Sequence, residues 1–497
     1  MLLLGAARIF SPTPAEILVY NTINIPFNVA MASPAALAPP MIVSPPDYGL
    51  LTDLYQLTMV ACYAGEGLDQ RRASFELFAR RLPQNYGYLV AMGLAQGLEY
   101  LSQLRFSEEQ IAALQRTGLF TQAPEAFWEL LRAGRFTGDV WAVPEGTVVF
   151  AQEPFLRVEA PLWQAQLVET YLLNTLNYQT LVATRAARLR EVAGPAARLL
   201  EFGTRRAFSP QASLWAARAA LAAGLDATSN VLAAAQLGQI PAGTMAHALV
   251  MAFSALEQGE EEAFAAFHRY FPGAALLIDT YDPVVAAARL AAQARPGQPP
   301  VAAVRLDSGD LAKVSQAVRH HLPQALIMAS GDVDEYEITR LRRAGATIDG
   351  YGLGTKLVTG EPVNGVYKLV ELDGTPVMKE ASGKATYPGR KQIFRRYEGT
   401  QAVADRLGLM TEAPQPGERP LLQRVMHQGQ PVFEVEPLGE IATRTAQSVA
   451  ALPQAVRSID QPPAYPVELS PDLQALTDST RRPMAHPAPS PISSRRP

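Results

Sequence analysis

The chain has 497 residues, too many for one ordinary domain and enough for a large core with a second unit. A net charge of −4, with acids and bases mixed along the chain, gives no sign of a nucleic-acid surface, and no apolar run is long enough to span a bilayer. The single cysteine, Cys62, excludes an internal disulfide framework and a multi-cysteine metal site, and it fits a reducing cytoplasm.

Residues 1–46 contain many Pro, Ala and Ser without a sustained period and read as disordered or loosely attached. The opening Met-Leu-Leu-Leu-Gly-Ala-Ala lacks the basic segment of a signal peptide, and Met31 and Met41 are alternative starts. The folded part is expected to open near Asp47. Leu50 to Tyr63 reads as a helix capped by Thr52 or Asp53, with Leu54, Leu57 and Val60 facing inward. Ser74 to Phe78 alternates like a strand. Leu89 to Leu104 reads as a helix whose glycines at 93 and 97 admit a close neighbour. Between Gly138 and Val158 short β runs alternate with Pro and Gly turns, so residues 47–165 predict an α+β domain.

From about Leu162 helices and strands alternate. Leu167–Leu176 and Val182–Val192 read as helices, and apolar runs end at Glu201, Asp279, Asp307, Asp332 and Gly354. Successive strand ends lie roughly 20–30 residues apart, the length of a βα unit. The pattern predicts an α/β architecture, an irregular (β/α) TIM-like barrel over residues 166–359, with Asp279, Asp307, Asp332 and the Gly352/Gly354 pair on one rim. A lone acidic residue at a strand end is ordinarily a helix cap; several in series point to a site. After Thr359 the text returns to strands: a hairpin from Gly365 through an Asp373-Gly374 turn, and a strand from Val432. Residues 360–460 are expected to rejoin the early α+β domain, and 461–497 to form a disordered Pro-rich tail.

The stretch Leu199 to Phe208 organises the rest. A buried strand breaks at Gly203, leaving Phe202 as an aromatic face for a flat ring and Arg205 and Arg206 as guanidinium forks for a carboxylate or phosphate. The alternative is that Glu201 pairs with an arginine and only ties down a loop. Arg305-Leu-Asp307-Ser308-Gly309-Asp310 places a cation, a hydroxyl and carboxylates around a glycine turn, suited to a polyhydroxyl or metal-pyrophosphate ligand. Gly350-Tyr-Gly352-Leu-Gly354-Thr355 leaves backbone N–H groups open to a phosphate. His247 stands in apolar text, where a histidine is more often a core residue than a catalyst.

Taken in order, Leu-Thr-Asp-Leu-Tyr-Gln-Leu-Thr-Met (51–59), Glu-Phe-Gly-Thr-Arg-Arg-Ala (201–207), Ala-Gly-Thr-Met-Ala-His (242–247), Val-Arg-Leu-Asp-Ser-Gly-Asp (304–310), Ser-Gly-Asp (330–332) and Gly-Tyr-Gly-Leu-Gly-Thr (350–355) resemble the nicotinate phosphoribosyltransferase family. The resemblance implies a homodimer with shared active sites. It implies joining of nicotinate to 5-phosphoribosyl-1-pyrophosphate, with Mg²⁺ as cofactor and ATP as co-substrate. Phe202 and the neighbouring subunit's Tyr55 would sandwich the pyridine ring. Arg205, with or without Arg206, would bind the nicotinate carboxylate or the 5-phosphate. Arg305 and Asp307, followed by Ser308, would sit at the ribose and its pyrophosphate. Gly331, Asp332, Gly352, Gly354 and Thr355 would line the phosphate and ribose side, and His247 would be transiently phosphorylated. Nicotinamide-using relatives carry an aspartate where the loop Leu225 to Val231 here puts Ser229, with Asp226 the competing alignment. The metal ligands are not assigned. A nicotinamide or quinolinate phosphoribosyltransferase, or a phosphate-binding (β/α) barrel lyase or isomerase, is the alternative. Lys368, Lys379 and Lys384 are further phosphate candidates.

Overall fold

The computed structural model describes residues 42–293, 300–380, 386–432, 434 and 436–484. From Ser44 on the chain is a single unit holding two apolar cores, one around an antiparallel sheet and one around a parallel sheet.

The antiparallel sheet runs Thr375–Pro376, Gly365–Leu372, Arg72–Ala79, Pro154–Pro161, Asp139–Ala142, Gln423–His427, Gln430–Pro431. Its neighbours come from both ends of the chain, with Phe75 opposite Leu369 on one side and Val158 on the other. Arg72–Ala79 is buried on both faces after its first residue. Its central place in the sheet overrides the half-exposed alternation expected of an edge. The hairpin after Gly365 turns at Asp373 and Gly374, both at positive φ (47° and 75°), as a two-residue hairpin turn requires. Instead of a strand from Val432, pairing falls on Gln423–His427 and Gln430–Pro431; Phe433 and Val435 lie outside the described residues. The reading of Leu89–Leu104 as one helix is corrected to a short strand, Leu89–Val90, and a helix, Leu94–Gln103.

The parallel sheet is ordered Ala227–Thr228, Arg198–Glu201, Gly350–Leu353, Leu326–Ala329, Ala303–Leu306, Leu276–Leu277. Every neighbouring pair is parallel, and helices fill the connections. The described pairings give a mixed α/β architecture with two edge strands, and closure of this sheet into a barrel is not shown by them.

One helix, Glu169–Ala193, replaces the two helices expected there. Leu172, Leu176 and Leu181 belong to the antiparallel core, whereas Val182, Ala183, Ala186 and Leu189 belong to the parallel one, so the helix is shared by both. It is buried on most sides, with Thr175, Gln179, Thr180, Thr184 and Arg188 buried among the apolar residues, so it lacks the one-sided apolar stripe that local reading looks for. Its Thr184 and Thr180 hydroxyls accept from the amides of Val90 (2.9 Å) and Met92 (3.2 Å), satisfying strand-edge donors that would otherwise be buried without partners.

The expectation of a structureless tail is also corrected. Val467–Leu469 adds a parallel strand to Gln401–Leu409, and Pro471–Met484 is a helix. Leu473 is wholly buried in the antiparallel core. Proline-rich composition misled here because the ordering comes from docking rather than from local propensity. Residues 1–41 and 485–497 of the two expected extensions lie outside the described residues.

Candidate active site

The C-terminal ends of the parallel strands open on a cleft of about 830 Å³. It is lined by Phe202, Arg205, Arg206, Ser229, His247, Arg305, Asp307, Gly331, Asp332, Gly352, Gly354 and Thr355, together with the 241–246 loop and Ser330. Loops from six separate stretches of sequence therefore meet where open parallel sheets ordinarily bind ligands.

Asp307 and Asp332 reach the cleft lining and Asp279 stands buried behind it, because the helices that follow are capped by other residues. Asp282, Asp310 and Asp334 are the N-caps, each accepting from the first turn of its helix. Asp279, Asp307 and Asp332, two or three residues earlier, are thereby left for other partners. Asp279 is buried; its Oδ2 accepts from the Asp307 amide (2.7 Å) and the Ser308 hydroxyl (2.8 Å). Asp279 Oδ1 is buried without a hydrogen-bond partner, 4.0 Å from His247 Nε2. Asp307 Oδ1 accepts from the Ser330 hydroxyl. Ser308 thus stands behind the cleft wall as a brace, not on its lining. The strand-end position of Asp279 and the motif position of Ser330 are legible in the sequence, whereas nothing local marks Thr280 as the partner of His247.

Gly331 has φ +91°, and a Cβ there would lie 2.3 Å from the Asp307 carbonyl oxygen. Only glycine meets both conditions without strain. Asp332 follows at φ +52°, a conformation that aspartate tolerates better than most residues.

His247 is the first residue of the helix His247–Ala255; its Nδ1 lies 3.0 Å from the Thr280 hydroxyl, which leaves Nε2 toward Asp279. Arg305 donates through Nη2 to the Met245 carbonyl (3.1 Å), tying the strand end to the histidine loop, and its Nε is buried without a partner. Burial pushes the Arg305 guanidinium below its ordinary range against the opposing pull of Asp307 and Asp279. Arg205 and Arg206 are exposed and form no ion pair among the described residues.

The arginine partner considered for Glu201 is corrected. Glu201 is fully buried and accepts from the Gly203 amide and from the Thr228 hydroxyl, with no ion pair among the described residues. Burial pushes its carboxyl upward, and those two hydrogen bonds oppose the push. Asp226 is turned out of the cleft: its Oδ2 accepts from the Leu199 amide (2.7 Å) and pairs with Arg190 (2.8 Å), while Ser229 lines the cleft.

Tyr55 lies on the helix Leu54–Gly65, 46% exposed and outside the cleft of its own chain. Burial, then the Glu169 charge, pushes its phenol up to about 12. Lys368 faces Glu169 (3.8 Å) and Lys379 is exposed; neither lines the cleft, and Lys384 lies outside the described residues. Among the described residues no helix is long and apolar enough to cross a membrane, and no group of three or more metal-ligating side chains is present.

Three family models match along the chain: the nicotinate phosphoribosyltransferase (NAPRTase) N-terminal domain over residues 50–177, the NAPRTase family over 197–339 and the nicotinate phosphoribosyltransferase C-terminal domain over 417–477. A nicotinate phosphoribosyltransferase of Mycobacterium tuberculosis is 42% identical over 434 residues, covering 85% of this chain and 91% of that protein. One of Bacillus subtilis is 38% identical over 473 residues, covering 85% and 93%. The crystal structure of human nicotinic acid phosphoribosyltransferase superposes with a TM-score of 0.75 at 32% identity, covering 86% of this chain and 99% of that one. With a cleft built from five of the six motif stretches and relatives of this similarity along most of its length, the chain is an enzyme that belongs to the nicotinate phosphoribosyltransferase family.

Proposed function

We propose that the cleft joins nicotinate to 5-phosphoribosyl-1-pyrophosphate, giving nicotinate mononucleotide and pyrophosphate. The observation that carries this reading is the meeting of an aromatic face, two arginines with no ion pair among the described residues and the Arg305–Asp307 strand end in one cleft. The pyridine nitrogen already has a lone pair, so no strong general base is required. As the C1–pyrophosphate bond breaks, C1 gains oxocarbenium character and the ring nitrogen forms the new bond to it. The protein's work is to hold the nitrogen in line and to stabilise charge on the departing group.

In this reading Phe202 carries one face of the ring, and Arg205 with Arg206 holds the carboxylate or the 5-phosphate. Arg305 and Asp307 hold the ribose and pyrophosphate, with Ser308 bracing Asp307 through Asp279. Gly331, Asp332, Gly352, Gly354 and Thr355 form the phosphate and ribose side. Ser229 in the cleft and Asp226 outside it favour an acid over an amide, because no carboxylate from that loop repels the substrate's own.

Magnesium fits as an ion carried with the pyrophosphate rather than in a protein cage. Asp279 Oδ1 is buried and unpartnered beside Asp307, and Mg²⁺ commonly takes one or two carboxylates plus substrate phosphates. When bound it supplies positive charge to the leaving pyrophosphate. ATP is read as a co-substrate whose γ-phosphoryl passes to His247 Nε2, the ring nitrogen left free by the Thr280 contact, as the bond from Pγ to the bridging oxygen breaks and ADP leaves.

The parallel sheet is read as an irregular barrel over 166–359, and 47–165 with 360–460 as the second domain. A homodimer, placing the partner subunit's Tyr55 over the ring, fits the exposure of Tyr55, Leu54 and Leu51. The test is incubation with phosphoribosyl pyrophosphate, Mg²⁺ and each of nicotinate, nicotinamide and quinolinate, with and without ATP, followed by mass identification of products. Nicotinate mononucleotide from nicotinate alone is expected; turnover of nicotinamide at an equal rate would remove the acid assignment.

A further inference from the structure

Glu201 ends its strand with a side chain that lies off the cleft lining and pairs with no cation among the described residues, yet it connects three walls of the cleft. Its Oε1 accepts from the Gly203 amide, at the start of the turn that carries Arg205 and Arg206. Its Oε2 accepts from the Thr228 hydroxyl at 2.5 Å. Its backbone carbonyl accepts from the Ser229 amide (2.9 Å), and the Thr228 carbonyl accepts from Ala242 (2.9 Å) in the loop leading to His247. The Thr228 hydroxyl accepts from the Asn230 amide (2.9 Å), and Asn230 Nδ2 donates to the Ser213 hydroxyl (3.2 Å), which donates to the Pro210 carbonyl (2.7 Å). Each hydroxyl hydrogen is used once, so the bonds diverge from Asn230: one branch runs through Thr228 to Glu201, a double acceptor, and the other through Ser213 to the Pro210 carbonyl.

A fully buried carboxylate without a cation is a poor choice for stability alone. Its use here is geometric. At this reach a carboxylate presents two acceptors, whereas glutamine presents one acceptor and one donor: with its oxygen on the Gly203 amide, its N–H must donate to Thr228 Oγ1, and the Thr228 hydroxyl hydrogen loses the acceptor it has in the parent chain.

We propose that Glu201 is a positioning residue for the ring-side wall, fixing the Phe202–Arg206 turn to the Ala227–Thr228 strand that carries Ser229 at its end and thereby setting affinity for the flat acid rather than for the phosphoribosyl donor. The proposal rests on the reading of this cleft as the nicotinate site. Its test uses the full-chain enzyme and the variants Glu201→Gln, Thr228→Val and Thr228→Ser, with separate KM values for nicotinate and phosphoribosyl pyrophosphate. In Glu201→Gln and Thr228→Val the nicotinate KM is expected to rise about tenfold and the donor KM to stay within about twofold, while Thr228→Ser, which keeps the hydroxyl, stays near the parent enzyme. KM does not depend on the folded fraction, so partial unfolding does not imitate this split. If Glu201→Gln gives no soluble enzyme, the Thr228 pair decides alone. An unchanged nicotinate KM, a parallel rise in both KM values, or a Thr228→Ser enzyme as impaired as Thr228→Val overturns the role. A parent enzyme that makes no nicotinate mononucleotide instead strikes the functional reading itself, and this inference with it.

Discussion

A Cβ on residue 352 would lie 2.6 Å from both Cδ2 and Cε2 of Phe202: the aromatic ring fills the space that any side chain at Gly352 would need. The two residues sit on adjacent parallel strands, Gly352 beside Leu200 and Phe202 bonded through its amide to the Leu353 carbonyl (2.7 Å). Phe202 lines the cleft, so Gly352→Ala is expected to push the ring toward that open side. Gly352→Ala is expected to raise the nicotinate KM about tenfold and to cost about 1–3 kcal/mol of stability, the range for overpacking a fitted site. Most of the stability cost should vanish in the Phe202→Ala background, where the nearest remaining contact of the methyl is the Ser330 Cβ at 3.2 Å. Paired thermal melts and nicotinate titrations check both statements.

Arg205 and Arg343 are both exposed, but only Arg205 lines the cleft. Loss of a charge-assisted hydrogen bond to a substrate anion costs about 1.5–3 kcal/mol, so Arg205→Ala should lower kcat/KM by about 10- to 100-fold. Arg343→Ala should leave it within about twofold, as surface changes ordinarily do. Equal small effects in steady-state assays would return the Arg205 turn to a structural role.

His247 presents Nε2 toward a buried carboxylate oxygen with no hydrogen-bond partner. Incubation with γ-labelled ATP is expected to label the parent enzyme and to leave His247→Ala unlabelled. The variant should also lose nicotinate-dependent ATP hydrolysis. Full labelling of His247→Ala by intact-protein mass would place phosphorylation elsewhere.

Glu145 and Arg218 form a buried pair through two hydrogen bonds, at 3.0 and 2.6 Å, between the Pro144–Thr147 turn and the helix Pro210–Ala222. Burial alone would raise the Glu145 carboxyl, but the Arg218 charge and hydrogen bonds, with the Gly93 amide, hold it below its ordinary range. A carboxyl lowered by folding contributes stability that is present above its unfolded value, about 4.3, and is lost as pH falls through the folded value. Melting temperature should therefore fall on acidification below about pH 4. Glu145→Gln leaves Arg218 buried and unpaired, at a cost of about 3–5 kcal/mol near neutral pH, and should flatten the acid limb. An unchanged melting temperature in Glu145→Gln would show that the pair contributes nothing net.

The local sequence alone determined that Phe202, Arg205, Asp307, Asp332 and Gly354 would come together, because a repeated βα unit returns each strand end to the same edge of the sheet. It also determined the Asp373-Gly374 hairpin, since two consecutive positive φ values select those residue types. What it could not determine were the partners of buried polar groups. Glu201 faces Thr228 rather than an arginine, and Glu145 meets Arg218 across 73 residues of chain. The helix Glu169–Ala193 and the docked segment Val467–Met484 were likewise decided by tertiary packing. Periodicity reports which face of an element is apolar; it carries no information on which distant donor or surface will be brought against it.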